Sequence, residues 1–158
     1  MNCGFKDERI RKQFGEIHRR ANRATSEVIQ LVGILLVTHN GLGDSFVDCV
    51  RHVLGVAPPN LKVLSVLAGD DPQLKLAEGR TLIKQLDGGD GVLVLADVFG
   101  ATPCNIGWQL CDAERVLGVA GLNLPMLLRV VCSHGKTLPE LAKIAVEGGR
   151  ECIVQMAG

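Results

Sequence analysis

The sequence lacks an excess of charge of either sign and lacks a long apolar run. Its 17 Lys and Arg residues balance 17 Asp and Glu residues, so no strong overall field draws the protein to nucleic acid. The longest apolar runs, at 31–37 and 92–96, fall far short of the ~20 residues that a membrane span needs. Residues 1–30 also lack the apolar stretch of a signal peptide. We therefore expect a soluble protein.

The sequence also lacks closely spaced cysteines. Its six cysteines are scattered, none forms a C-x-x-C pair, and several lie inside apolar runs. A chain of 158 residues can bury a core without disulfides, so these are expected to be reduced thiols in a cytoplasmic protein. We expect no metal site and no cofactor.

Residues 1–30 are polar and basic, and are expected to form a partly helical or disordered extension. Residues 31–158 are expected to form one domain in which apolar runs alternate with segments of helical periodicity. Strands are predicted at 31–38, 61–67, 92–97 and 116–120, with a short edge strand at 152–155. Helices are predicted at 44–54, 72–86, from Thr102-Pro103 onward, 125–132 and 138–147.

This alternation predicts a three-layer, doubly wound α/β fold with a mostly parallel sheet of order 2-1-3-4. Asp44 or Ser45 is the expected cap of the first helix, and Thr102 that of the helix after the third strand. Leu74, Ala77, Leu82 and Leu86 are expected on the buried face of the second helix.

His39 and Asp97 each stand at the end of a long apolar strand, where a polar side chain is unexpected unless it has a structural or functional role. In the predicted order these two strands are neighbours, so their carboxyl ends meet at the point where open α/β sheets bind ligands. A carboxylate there can accept a hydrogen bond from one imidazole nitrogen and leave the other as an exposed nucleophile. The alternative is that His39 is a satisfied turn histidine and Asp97 a helix-associated cap.

Two helices are predicted to begin beside this pair, and their free amide groups suit a phosphate. Thr102 could add a hydroxyl donor. Other motifs are incomplete: Phe46 replaces the third glycine of a dinucleotide fingerprint, and Val130 replaces the first glycine of a phosphate-binding loop. The residues thus favour a site that carries a phosphoryl group on His39.

Three segments resemble a known family: Val37-Thr38-His39, the stretch 95–105 with the pattern D-x-F-G-x-T-P-x-N, and the stretch 118–127 with the pattern G-x-N-x-P-M-L. Together they resemble the mannose-type IIA family of the bacterial sugar phosphotransferase system (PTS) over about residues 31–155. Ala101 stands where that family usually has glycine.

The resemblance implies a phosphoryl carrier whose histidine, here His39, accepts phosphate from phospho-HPr and passes it to a IIB component for sugar uptake. It implies that Asp97 orients His39, and that a homodimer exchanges its final strand between subunits. Contact with a membrane would be indirect, through a transporter complex. Two alternatives stay open: a regulatory protein whose His39 phosphorylation is sensed by a partner, and a dihydroxyacetone-kinase phosphodonor-like subunit.

Overall fold

Four apolar segments form one parallel sheet in the computed structural model, which describes residues 31–156. The strands are β1 (Gly33–His39), β2 (Leu61–Val66), β3 (Val92–Ala96) and β4 (Val116–Ala120). Their order in the sheet is β2-β1-β3-β4, as predicted. β3 is buried throughout and β1 is buried except at His39, which fits central strands covered on both faces.

Five helices within residues 31–156 cover the two faces of the sheet. They are α1 (Leu42–Leu54), α2 (Pro72–Leu86), α3 (Thr102–Leu110), α4 (Leu124–Val131) and α5 (Leu138–Glu151). α1, α4 and α5 pack on the face that carries Ile34 and Leu36. α2 and α3 pack on the opposite face, against Leu35 and Val37. The predicted three-layer α/β fold is therefore confirmed.

The register of the two central strands brings their carboxyl ends to the same level. β1 and β3 pair in parallel from Gly33 with Val92 to Val37 with Ala96. The chain continues past the last pair to His39 on one strand and to Asp97 after the other. Because neighbouring strands lie ~5 Å apart, the two side chains emerge side by side at one edge of the sheet.

Three predicted helix boundaries were wrong. α1 begins at Leu42, so neither Asp44 nor Ser45 caps it, and its N-cap is Gly41. α3 has Ala101 as its N-cap, so Thr102 is its first residue rather than its cap. α5 continues past the expected stop at 148–149 to Glu151.

The two glycines that were read as the end of α5 instead permit close packing between helices. A Cβ atom at Gly148 would lie 2.7 Å from Arg129 Cδ, and one at Gly149 would lie 2.8 Å from Met126 Cε. Both neighbours belong to α4. The absence of side chains at 148 and 149 therefore lets α5 lie against α4 without ending the helix.

The predicted buried face of α2 was partly wrong. Leu74 is 70% exposed and Ala77 is exposed, whereas Leu76, Gly79 and Leu86 are the buried residues of the helix. A Cβ atom at Gly79 would lie 2.7 Å from Leu110 Cδ1 of α3. Gly79 thus marks the contact between α2 and α3, and the buried side of the helix is centred there.

The predicted strand at 152–155 is not formed within the single chain, because α5 runs into Cys152 and residues 153–156 pair with no strand. Ile153, Val154 and Met156 are 76%, 71% and 94% exposed. The predicted extension at 1–30 lies outside the described residues. In the part of the chain that the structure describes, no helix is both long and apolar enough to span a membrane.

Candidate functional site

His39 and Asp97 are in direct contact at the carboxyl end of the sheet. Asp97 Oδ2 lies 2.8 Å from His39 Nδ1, and it also accepts the backbone N–H of His39 at 2.9 Å. The other carboxylate oxygen, Oδ1, accepts the backbone N–H of Val98 at 2.9 Å. Both oxygens of Asp97 are therefore held, and Oδ2 fixes His39 at two points, its backbone N–H and its ring Nδ1.

This contact assigns the protons on the imidazole. Asp97 Oδ2 already accepts one N–H, so it acts as an acceptor toward the ring and Nδ1 carries the proton. In the neutral ring Nε2 then has the free lone pair. The His39 side chain is 45% exposed, whereas that of Asp97 is only 7% exposed. The site thus consists of a shielded acceptor and an accessible ring.

The loop after β3 is fixed from the neighbouring strand end. Ala96 O accepts the backbone N–H groups of both Gly121 and Leu122, each at 3.0 Å. These bonds join the end of β3 to the turn that follows β4. Since Ala96 also pairs with Val37 of β1, Asp97 projects from a segment that is held on both sides, which limits the freedom of its carboxylate.

The turn after β1 holds His39 from the other side. The backbone N–H of Asn40 bonds to Val66 O of β2 at 3.0 Å, and Asn40 has a positive φ of 46°. Asparagine is among the few residues other than glycine that tolerate this left-handed conformation. The chain turns sharply there and enters α1 at Leu42.

Thr38 closes this turn through its side chain. Its Oγ1 accepts the backbone N–H of Gly43 at 2.9 Å in a buried hydrogen bond. The N-cap residue Gly41 has no side chain with which to accept such a bond, and Ser45 Oγ instead donates to Gly41 O at 3.1 Å. The acceptor for the first turn of α1 is therefore supplied by the strand rather than by the cap position.

Thr102, the third predicted site residue, begins α3 and is exposed. Pro103 follows it in the first turn, where its missing N–H costs no intrahelical hydrogen bond. Gly100, two residues earlier, has a positive φ of 86°. The structure thus places Thr102 at the start of the helix that follows Asp97, but shows no bond between its hydroxyl and the imidazole.

Sequence reasoning missed Thr38, which was assigned to the end of a buried strand. Its signal was present: a polar residue at the end of an apolar run, four residues before a helix whose N-cap and second residue are glycines. Such a residue needs a hydrogen-bond partner when it is buried. The prediction failed because helix caps are usually sought next to the helix in sequence.

Two of the partly buried thiols, Cys111 and Cys132, are poor alternatives to the imidazole as nucleophiles. Burial raises the pKa of the Cys132 thiol to about 11. Burial, with the nearby Asp112 carboxylate as a smaller cause, also raises the pKa of Cys111. A raised pKa leaves a thiol protonated and unreactive near neutral pH.

Fold and site together define a doubly wound α/β protein with a histidine–carboxylate pair at its switch point. A family model described as the PTS system fructose IIA component, EIIA-man, matches residues 33–146. The chain belongs to this family. Its members are components of a phosphotransferase system, so the family expected from the three sequence segments is confirmed.

Several known proteins are similar to this chain. The mannose-specific EIIAB component of the PTS from Escherichia coli K12 is 27% identical over 123 residues. That match covers 76% of this chain but only 38% of the relative, so the chain spans well under half the length of this curated relative.

Two solved structures share the fold. The mannose/sorbose-specific IIA subunit of the PTS from Enterococcus faecalis has a TM-score of 0.72 at 23% identity, covering 80% of this chain and 96% of that one. The PTS component EIIA from Streptococcus agalactiae has a TM-score of 0.67 at 23% identity, covering 79% and 97%.

Proposed function

We propose that this protein is a cytoplasmic phosphoryl carrier that takes phosphate from phospho-HPr on His39 and passes it to a IIB component. The observation that carries the proposal is that the imidazole of His39 is both held by Asp97 and exposed. Asp97 engages Nδ1 at 2.8 Å, while the ring remains 45% exposed. A second protein can therefore reach the ring, and the hydrogen bond to Nδ1 leaves Nε2 as the nitrogen available for reaction.

In the proposed step, the lone pair of His39 Nε2 attacks the phosphorus atom held by the donor. The N–P bond forms as the bond from phosphorus to the donor breaks, and the bonding pair of that bond stays with the donor. His39 Nδ1 keeps its proton throughout and donates a hydrogen bond to Asp97. As positive charge develops on the ring, the carboxylate stabilises it, and transfer onward reverses the same steps.

The phosphoryl oxygens need donors, since little covalent work is left to the protein in such a transfer. The first turns of α1 and α3 lie after the strands that carry the pair, and their free amide groups favour an anion. Thr102 has an exposed hydroxyl in the first turn of α3. We assign it a contact with a phosphoryl oxygen.

The test is incubation with phosphoenolpyruvate, enzyme I and HPr, followed by mass spectrometry of the intact and digested protein. We expect one added phosphate on His39 and none in His39→Ala. His52→Ala is the matched control, because His52 is an exposed histidine late in α1, and it should be labelled normally. Label retained in His39→Ala would reject the assignment.

A chase of the labelled protein distinguishes the proposed acceptor from the regulatory alternative. Loss of label to an added IIB protein and a sugar would support transport. Phosphate that stays on His39 in the presence of IIB proteins would instead support a protein whose phosphorylation is read by a partner.

We also infer that the protein functions as a homodimer. β4 is an edge strand, and a groove of about 690 Å³ runs along it between Trp108 of α3 and Val146 of α5. Trp108 is 74% exposed. An open strand edge has unpaired amide and carbonyl groups, which favours pairing with another strand.

The same chain offers a segment that suits this groove. Residues 153–156 are free of strand pairing and expose Ile153, Val154 and Met156. Paired with β4 of a second copy, they would bury their apolar side chains against the groove. The final strand, which the family resemblance implies is exchanged between subunits, would then form between two chains rather than within one.

A further inference from the structure

Thr38 is the one fully buried polar residue in the described part of the chain, with 0% of its surface exposed. It lies between Val37, in the core, and His39, in the site. A buried hydroxyl carries a desolvation cost unless it is hydrogen-bonded. Here the bond goes to the backbone N–H of Gly43 in the first turn of α1.

The bond links the end of β1 to the start of α1, and the site needs these two segments in fixed relative positions. The end of β1 is held in the sheet, since Thr38 pairs with Ser65 and His39 with Val66 of β2. After His39 the chain turns through Asn40 and enters α1. The Thr38–Gly43 bond closes this turn around His39.

Gly43 has no side chain that would obstruct that bond. It is buried, and a Cβ atom placed on it would lie 2.8 Å from Thr38 Oγ1 while clashing with Val63 Cγ1 of β2. The backbone of α1 therefore comes into direct contact with β1 and β2 at this residue. The position of the helix start relative to His39 is set by this contact and by the hydrogen bond across it.

We propose that Thr38 is a positioning residue for phosphoryl transfer at His39, acting through the first turn of α1. This rests on the proposed function. By holding the Gly43 N–H, Thr38 fixes the start of the helix so that its remaining free amides and its positive end face the phosphoryl group on Nε2. Thr38 itself touches neither the phosphoryl group nor the imidazole in this scheme.

The test compares Thr38→Val, which keeps the shape but loses the acceptor, with Thr38→Ser, which keeps the acceptor. In single-turnover labelling by phospho-HPr, we expect the maximal rate for Thr38→Val to fall by about tenfold to a hundredfold, because small misplacements of a catalytic constellation cost this much. The donor concentration at half-maximal rate should change little. Thr38→Ser should stay within about threefold of the wild type.

Two measurements separate this role from a loss of stability. Amide hydrogen exchange at Gly43 should be protected in the wild type and in Thr38→Ser, and faster in Thr38→Val. Leu127→Val, a change at a fully buried residue of α4 in the core on the same side of the sheet, should lower stability while leaving the labelling rate unchanged. Thr38→Ala removes the same acceptor and replaces Thr38→Val if that variant fails to fold.

The outcomes distinguish the inference from the proposed function. If the wild type takes no phosphate on His39, the proposed function fails. If the wild type is labelled but Thr38→Val or Thr38→Ala is labelled as fast, the inference about Thr38 is wrong and the carrier function stands. A rate that falls equally in Leu127→Val would show that lost stability, not the bond to Gly43, explains the effect, and would also overturn the inference.

Discussion

One carboxylate oxygen of Asp97 accepts two hydrogen bonds from His39, from the backbone N–H at 2.9 Å and from Nδ1 at 2.8 Å. Position and tautomer of the imidazole are therefore set by the same atom. Because His39 is also paired with Val66 of β2, a change at Asp97 affects the ring without requiring His39 to leave its place.

Asp97→Asn should slow phosphorylation of His39 by a factor of about 10² to 10⁴, since an amide cannot stabilise positive charge on the ring and allows the wrong tautomer. The measurement is the single-turnover rate of labelling by phospho-HPr. Nitrogen chemical shifts of the imidazole report the tautomer independently.

Asp48→Asn is the control, because the Asp48 side chain is 70% exposed and pairs with Arg51 on α1. An Asp97→Asn rate within about threefold of the wild type would contradict the role of Asp97.

Thr102→Ala should slow labelling of His39 on the order of tenfold, because the hydroxyl donor to a phosphoryl oxygen is lost. Thr102→Ser keeps the donor and should restore most of the rate. Since Thr102 is exposed, neither change should alter the unfolding midpoint noticeably. Equal labelling rates for the Ala and Ser variants would contradict the proposed contact between the Thr102 hydroxyl and the phosphoryl group.

Gly43→Ala should destabilise the fold by about 1–3 kcal/mol, because its Cβ would clash with Val63 and crowd Thr38 Oγ1. Gly41→Ala is a closely matched control two residues away. A Cβ atom there meets nothing within 4 Å, and Gly41 has a φ of −83°, which any residue can adopt. Urea unfolding of the two variants measures the difference. Similar unfolding free energies would show that α1 can move away from β2 at little cost.

The sheet and the histidine–carboxylate pair follow from the sequence because both rest on local rules. Apolar runs that alternate with helical segments predict parallel strands, and neighbouring parallel strands bring residues that follow them to one edge. His39 and Asp97 were found in this way. No contact between distant residues had to be known in advance.

Other features depend on contacts that a sequence pattern does not contain. Thr38 caps a helix from within a strand, so no motif next to the helix reveals it. Gly148 and Gly149 look like a helix stop, yet they admit Arg129 and Met126 of α4. Residues 153–156 have the composition of a strand but pair with none of the strands in the part of the chain that the structure describes. In each case a neighbour in space decides what the residue does.

Arg115→Gln should destabilise the protein only slightly near neutral pH, since the ion pair with Asp87 is partly exposed. Arg115 Nη2 lies 2.6 Å from both carboxylate oxygens of Asp87, and its hydrogen bond lowers the pKa of Asp87 below 3.8. A lowered folded-state pKa means that the stabilisation is present above pH 3.8 and is lost as the pH falls through that lowered value. Urea unfolding at several pH values should show the two proteins converging in acid. A constant difference down to the lowest pH would mean that packing of the Arg115 stem, not its charge, stabilises the fold.

Val154→Asp should turn the proposed homodimer into a monomer. Val154 is 71% exposed in the single chain, so an Asp there costs the monomer little. In a strand paired with β4 of a second copy, the carboxylate would be buried against the apolar groove that includes Trp108, at a cost of several kcal/mol. Light scattering measures the mass. Trp108 is the one tryptophan of the chain, so its fluorescence should shift to longer wavelength as the groove opens to water.

Val56→Asp is the control. It places the same charge on another exposed valine, 62% exposed and outside the groove, and should leave the mass and the Trp108 fluorescence unchanged. A wild type that is monomeric at all concentrations, or a Val154→Asp variant that remains dimeric, would contradict the exchange of this segment.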